Sequence, residues 1–585
     1  MKVKNILLLA LSAMVLGSCD IMEPMDDNHT TDNRFVEPSF SEGLLLVGYS
    51  RMPNISSWKL NEVATDDAVS NVKTNNYTLM AGGQWSSTFD PVAQWSSSML
   101  AINYLNQFLG MVDSVRWHEV ADMNRLFVYR LKGEAFALRG IHRYFALCDV
   151  AGKVDGQMTG IQIINQFLDE NSDYNIPRET FDNTVKAIET DFDSAAYYLP
   201  EYYKDLTAAT DIPAKYGNVT LTQYNTVMGH SFVQRVQGRI VKCYRAMLRL
   251  LAASPAYNES AAATNDTKWE AAAEAAATAL NGISMNRTGN RFFEASMVNS
   301  VPLLDANDNE MAWRTQNQNN NNTLEKSVFP PSLNGNGDVN PTQNFVDAFP
   351  TKNGYPITDS RSGYDPTNPF NNRDPRLDRT VVRDFVKFKN KDIITYAGTG
   401  SLDQLDSLST STRTGYYLKK LIREDVNFNN DGTSNTQKHY YVFVRYTEMF
   451  LDYAEAANEV GGPDYKVAGF SMSARDVIKN IRARAGISPD NYISTITTQE
   501  EMRQLIRNER RLELSFEGHR FDDLRRWNLL DKLNEPIHGM KVTKDKTYTD
   551  FVLTDEKRSY ASVYGPLPQQ DVLRFSNLKQ NDGWK

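Results

Sequence analysis

Two glutamates four residues apart, Glu509 and Glu513, lie in a run of arginines: Arg507, Arg510 and Arg511 beside them, Arg520, Arg525 and Arg526 just beyond. A carboxylate pair is the equipment of glycoside hydrolysis, one group as acid and the other as base or nucleophile. Here Leu505, Leu512 and Phe516 share the helical face of the two glutamates. Carboxylates in an apolar stripe must be paired, because removing a partner costs on the order of 3–5 kcal/mol. Arg510, Arg511, Arg520, Arg525 and Arg526 are the obvious partners, and Gly518 permits a turn that folds Arg520 and Asp522 back onto the helix. We read Glu509, Arg510, Glu513, Arg520, Asp522 and Arg525 as a structural ion-pair network. Catalysis by the glutamates is the alternative, and no residue is assigned a catalytic role.

Other chemistries leave weaker traces. There is no Walker A loop, Rossmann glycine fingerprint, GxSxG or HExxH. His118-Glu119 lacks a second histidine four residues after the first. Asn427, Asn429, Asp431 and Gly432 resemble the start of a calcium loop, yet position twelve is Lys438 where a glutamate is required. Asp305, Asn307 and Asp308 are an equally weak calcium candidate. No metal site and no cofactor is expected. The net charge of −9 argues against nucleic acid as a partner.

The N-terminus carries the third chemistry. Lys2 and Lys4 precede an apolar run from Ile6 to Leu16, then Leu16-Gly17-Ser18-Cys19. The run is too short to span a bilayer, which takes about 20 apolar residues, and fits a secretory signal. It resembles a bacterial lipoprotein signal: residues 1–18 are removed and the Cys19 sulfur is lipidated. Acyl chains at Cys19 are then the membrane attachment. The tether of residues 19–34 holds Asp20, Glu23, Asp26 and Asp27. It resembles the signal that sends Bacteroidetes lipoproteins to the outer face of the outer membrane. Of the remaining cysteines, Cys148 follows the stripe Leu138, Ile141, Phe145, and Cys243 lies in Ile240, Met247, Leu251. Both read as core positions rather than a disulfide.

The elements that position these groups are mostly helical by periodicity. One helix runs through Val185, Ile188, Phe192, Ala195 and Leu199 to Pro200, and a second carries Trp269, Ala272, Ala273, Ala276 and Leu280. A third carries Tyr446, Met449, Phe450, Tyr453, Ala454 and Ala457, with Arg445, Glu448, Asp452, Glu455 and Glu459 expected on the opposite side. Short strands are expected around 380–386 and 416–422. Polar segments rich in Asn, Gly and Pro, 281–344 and 353–372, read as insertions carried by the helices. The expected fold is mainly α: tetratricopeptide-like helical hairpins with long loop insertions.

The C-terminal third then names a family. Arg507-Asn508-Glu509-Arg510-Arg511-Leu512-Glu513-Leu514, continuing through Phe516-Glu517-Gly518-His519-Arg520-Phe521-Asp522-Asp523-Leu524-Arg525-Arg526-Trp527, closely resembles the signature of the RagB/SusD family. Arg373-Asp374-Pro375-Arg376-Leu377, Arg482-Ala483-Arg484-Ala485-Gly486, Tyr453-Ala454-Glu455-Ala456 and Pro566-Leu567-Pro568-Gln569 are similar too, in the right order. Residues 35–280 match more loosely than 281–585, and the two parts are expected to form one unit. The resemblance implies a SusD-like fold and a non-enzymatic outer-membrane surface lipoprotein. Such a protein captures nutrient, most often oligosaccharide, and delivers it to a SusC-like TonB-dependent barrel.

A sugar ring lies on an aromatic face and offers hydroxyls to Asn, Asp, Gln or Arg, and loops on a rigid scaffold are the usual place for such a site. Two loops qualify by position and chemistry. The first gives Asp66, Tyr77 and Trp85, preceded by Trp58; the second gives Trp313, Arg314 and Asn317. Trp95, at helical spacing with Met99 and Ile102, is assigned to packing. Three alternatives stay open: a peptide-binding RagB-like member, a glycoside hydrolase, and a purely structural helical-repeat lipoprotein.

Overall fold

The computed structural model describes residues 37–53, 58–259, 267–285, 289–300, 310–315 and 319–584. Cys19 with its tether, Asn317, and the calcium candidate Asp305, Asn307 and Asp308 lie outside these residues.

The principal helices are α1 (Pro38–Ser50), α2 (Trp95–Met111), α3 (Ala121–Val150), α4 (Phe181–Tyr198), α5 (Gly238–Ala253), α6 (Thr267–Ala279), α7 (Tyr446–Gly461), α8 (Ala474–Ala485), α9 (Gln499–Glu513) and α10 (Arg520–Arg526). Neighbours in sequence pack together: α2 on α3, α3 on α4, α5 on α6. Helix α6 then packs on α7, and α7 on α8 and α9, which joins the two halves of the chain. The main apolar core accordingly runs from Leu44 to Leu514. The protein is mainly α, with hairpins as the periodicity predicts.

Local chemistry sets the boundaries. Thr180 caps α4 by accepting from the Asn183 N–H, and Pro200 follows the last helical turn. Helix α4 lies close on α3 because Gly133 and Gly140, two turns apart, leave room. A Cβ at Gly140 would stand 2.6 Å from Phe192, and one at Gly133 would stand 2.7 Å from Leu199. The alanines of α6 (Ala272, Ala273, Ala276) are buried and give the same closeness.

Helix α7 differs from its expectation. Glu448, Asp452 and Glu455 are buried along with its apolar residues. Charges gathered on one side of a helix read as a solvated face, but here Arg510 of α9 meets Asp452 and Arg526 of α10 meets Glu455 within the protein.

The strands are short and paired antiparallel. Strand β1 (Ala68–Ser70) pairs with β4 (Val339–Pro341), β2 (Met311–Arg314) with β6 (Val442–Arg445), and β3 (Asn319–Asn321) with β5 (Gln437–His439). Val381–Val382 pairs with Tyr417–Leu418, so the two expected strand segments meet each other. Cys148 and Cys243 are free thiols; Cys243 is buried. Trp95 is buried, its indole N–H donating to Asp571 Oδ2 at 2.9 Å.

Candidate functional site

Glu509 and Glu513 of α9 are buried among guanidinium groups, but not those adjacent in sequence. Glu509 accepts from Arg376 at 2.5 Å and lies 3.5 Å from Arg482. Glu513 meets Arg376 at 3.1 Å, Arg484 at 2.7 Å and Arg445 at 3.6 Å. Arg376 is also held by Asp374, and Arg482 by Asp490. Burial alone would raise the Glu513 carboxyl; Arg484, Arg376 and Arg445 overcome it and hold the group far below the usual carboxylate range. An acid or base poised near neutrality cannot be made from a carboxylate held this way.

The arginines expected to serve Glu509 and Glu513 pair elsewhere. Arg510 binds Asp452 at 2.5 Å and Asp523 at 3.1 Å. Arg511 and Arg520 each reach Asp66 at 2.9 Å, and Arg526 binds Glu455 at 2.6 Å. Arg525 approaches Asp522 only to 3.4 Å, and the Asp522 side chain is 61 % exposed. Gly518 does adopt positive φ (+89°), and its N–H donates to Glu62 at 2.8 Å. Three of the segments that carry the family resemblance, around Arg376, Arg482 and Glu509, thus meet in one charge cluster.

Several of the expected ligand residues are taken by this scaffold. Asp66 is a partner of Arg511 and Arg520; against the cost of burial they hold it well below its ordinary value. Trp85 is 5 % exposed and packs edge-on against Phe521, Tyr560 and Trp584. Trp313 is 3 % exposed; it sits in β2 against Phe443, and its N–H donates to the Gln234 carbonyl at 3.0 Å. Arg314 is buried over the Tyr440 ring. A tryptophan in a polar stretch reads as exposed, but the short pairing of β2 with β6 turns Trp313 inward.

Trp58 and Tyr77 do come together. They border a groove of about 890 Å³ with Tyr441, Asn75, Asn320, Asn321 and Asp338. Trp58 packs edge-on against Tyr441, ring centres 6.1 Å apart. Tyr77 is half-buried, and burial pushes its phenol up to about 12. It stays neutral near pH 7 and can both donate and accept. Asn75 fixes Tyr77: its Oδ1 caps the helix Asn76–Leu79 by accepting from the Tyr77 N–H at 2.9 Å. Strand β3, held by β5, brings exposed Asn320 and half-buried Asn321 into the lining of the same groove. Asp338 accepts from Ser327 at 2.7 Å.

Sequence reasoning reached the two loops but missed Asn75, Asn320, Asn321 and Tyr441. The run of asparagines from 319 to 322 was the available signal. The groove offers a rim of aromatic groups, the exposed side chain of Val72 and several amides. That mixture binds a polar molecule with apolar faces by stacking and hydrogen bonds. In the weak calcium-like loop, Asp431 is used locally, accepting from the Thr433 N–H and hydroxyl.

Two family models cover most of the chain: SusD family over residues 297–584, and one described as starch-binding associating with outer membrane over residues 44–221. The protein belongs to the SusD-like family. SusD-like protein P2 of Formosa agariphila is 32 % identical over 157 residues, which is 26 % of this chain and 27 % of that protein. SusD-like protein P38 of the same organism is 33 % identical over 112 residues, 18 % of this chain and 20 % of its own length. These matches span about a quarter or less of the curated relatives.

The alignments with solved structures span nearly the whole chain. A SusD-like protein from Bacteroides fragilis aligns over 96 % of this chain and 100 % of its own, with TM-score 0.71 and 20 % identity. A SusD-like carbohydrate binding protein from the same species aligns over 93 % and 99 %, with TM-score 0.66 and 21 % identity. A laminarin binding SusD-like protein aligns over 94 % and 100 %, with TM-score 0.58 and 16 % identity. Among the described residues no helix is long and apolar enough to cross a membrane.

Proposed function

We propose that the protein is a non-catalytic glycan receptor of the outer-membrane surface. It is anchored by acyl chains at Cys19 and delivers oligosaccharide to a SusC-like TonB-dependent barrel. The observation that carries the binding step is the groove lined together by Trp58, Tyr77, Asn75, Asn320 and Asn321. Carbohydrate binding by two structural relatives of the same fold supports this occupant, as does the starch-binding description of the N-terminal family model. The saturated state of Glu509 and Glu513 supports a receptor over a hydrolase, since the most conspicuous carboxylate pair is committed to arginines.

The test is a panel of polysaccharides, starch and laminarin included, run against the purified protein by affinity electrophoresis with product analysis alongside. Retardation by at least one glycan without release of shorter sugars is expected. Release of sugars by the protein would place it among the hydrolases. For the anchor, the outer-membrane fraction should incorporate labelled palmitate, and Cys19→Ala should abolish both the label and the membrane association.

A further inference from the structure

One charged group at the groove has no partner in the fold. Lys59 is the only cation in the groove lining, and it also lines an adjoining inner cavity of about 230 Å³. It is half-buried, and its ammonium makes no ion pair or hydrogen bond among the described residues. The backbone beside it is strained. Leu60, which lines the groove as well, takes φ +50°, a region that bulky side chains avoid. Strain of this kind persists where the surroundings hold a segment in one shape, and it collects at ligand sites.

The other charges on the cavity wall are engaged or neutral. Arg510 is bound by Asp452 and Asp523, Arg445 by Glu517 and Glu310, and Arg526 by Glu455. Arg525 donates to the carbonyls of Val563 and Asp149. Burial and the neighbouring Asp452 hold the Glu448 carboxyl far above its ordinary value, and burial lowers the His519 ring to about 4, so both are neutral near pH 7. Lys59 feels Asp522, Asp149 and Asp90 without touching them, and burial outweighs them and holds its ammonium below the ordinary value. Burial raises those three carboxyls too, Asp149 to about 7, which withdraws part of their negative charge.

An ammonium drawn out of water with no counter-charge in contact costs stability, and an anion arriving with a ligand would offset that cost. We propose that the groove selects a glycan carrying an anionic group, a uronic-acid carboxylate or a sulfate ester, and that Lys59 is the residue that receives it. Lysine presents a compact charge with three N–H donors, which suits either anion. Tyr77, Trp58 and the amides of Asn75, Asn320 and Asn321 are then left for the neutral part of the sugar. Asp338, the one carboxylate in the groove lining, accepts from Ser327 and is raised by burial, which weakens its opposition to an anion. This assignment rests on glycan binding in the groove and adds the charge of the sugar.

The experiment is affinity electrophoresis of the purified protein on neutral glycans (starch, laminarin), carboxylated ones (polygalacturonate, alginate) and sulfated ones (carrageenan, fucoidan). Retardation by at least one anionic glycan is expected, and less by its carboxyl-reduced or desulfated form; which class retards tells carboxylate from sulfate. The net charge of −9 works against non-specific attraction to a polyanion. Lys59→Met, which keeps the stem and removes the charge, should weaken the interaction by about tenfold or more, reduce its salt dependence, and leave the melting temperature unchanged or higher. The charged and neutralised forms of the glycan read the same claim on the parent protein, without any variant. Retardation by neutral glycans alone, equal retardation by charged and neutralised forms, or a Lys59→Met protein that migrates as the parent does would overturn the proposal and leave the glycan reading standing. No retardation by any of these glycans would contradict both.

Discussion

Helices α7 and α9 each carry a pair of carboxylates four residues apart, and the two pairs live under opposite conditions. On α9, Glu509 and Glu513 each meet two or more guanidinium groups. On α7, Asp452 has one close arginine and Glu448 has only a neutral imidazole at 3.7 Å. Both pairs are buried, and desolvation pushes Glu513, Glu448 and Asp452 upward; what differs is the number of cations within reach. Glu513 ends far below its ordinary value. Burial and the neighbouring Asp452 leave Glu448 far above its own, and burial leaves Asp452 at about 6 despite Arg510. Spacing on a helix therefore does not assign a role to a carboxylate pair. The closed pair builds the scaffold, and the open pair is the one with chemistry to spare.

The sharpest way to break the comparison is to remove one member of each pair. Glu513→Ala strands Arg376, Arg484 and Arg445 without their shared partner and should cost on the order of 3–5 kcal/mol, read by urea unfolding. Glu448→Gln should leave stability unchanged or raise it, because it replaces a carboxyl that lacks a cation. Equal losses in the two variants would erase the distinction.

Next in size is Trp85→Ala, which empties a buried ring site and should destabilise by about 3–5 kcal/mol. Glycan affinity per folded molecule should not change. A stable Trp85→Ala protein that had lost binding would return Trp85 to the ligand site.

The pairs also separate by pH. Glu513, depressed in the folded state, contributes stability that is present above the unfolded carboxylate range and lost as pH falls through its low folded value. Glu448, raised in the folded state, contributes in the opposite sense: its share is present below the unfolded range and lost as pH rises through its high folded value. Arg510 and Arg445 pull it down, and Glu517 and Asp452 push it up. The stability gained by Glu448→Gln should therefore grow from pH 4.5 to pH 8, measured as the difference in unfolding midpoint. A gain that shrinks over that range would contradict the assignment.

Much of the scaffold was legible in the sequence. Helical stripes located α4, α6 and α7, because burying an apolar face imposes the 3.6-residue period whatever the packing partner. The strand segments near 381 and 417 were visible by their β-branched and aromatic residues. Ion-pair partners were not, because the chain holds 63 Lys and Arg and proximity in sequence favours the wrong ones. Glu509 is met by Arg376, 133 residues away, while its neighbour Arg510 turns to Asp452.

The groove was half legible. Loop chemistry brought Trp58 and Tyr77 forward, but it also nominated Trp85 and Trp313, whose burial depends on rings and strands far along the chain. Asn320 escaped notice because one asparagine in a polar run looks like the next. Only the pairing of β3 with β5 brings it into the groove that Tyr77 lines.

The central claim is that the groove of Tyr77 and Asn320 holds the glycan. It is tested most directly by affinity electrophoresis of the double variant Tyr77→Ala/Asn320→Ala on the glycan that retards the parent. A folded variant with the parent's melting temperature and affinity weakened by about tenfold or more is the predicted result. A folded variant that migrates as the parent does would contradict the account.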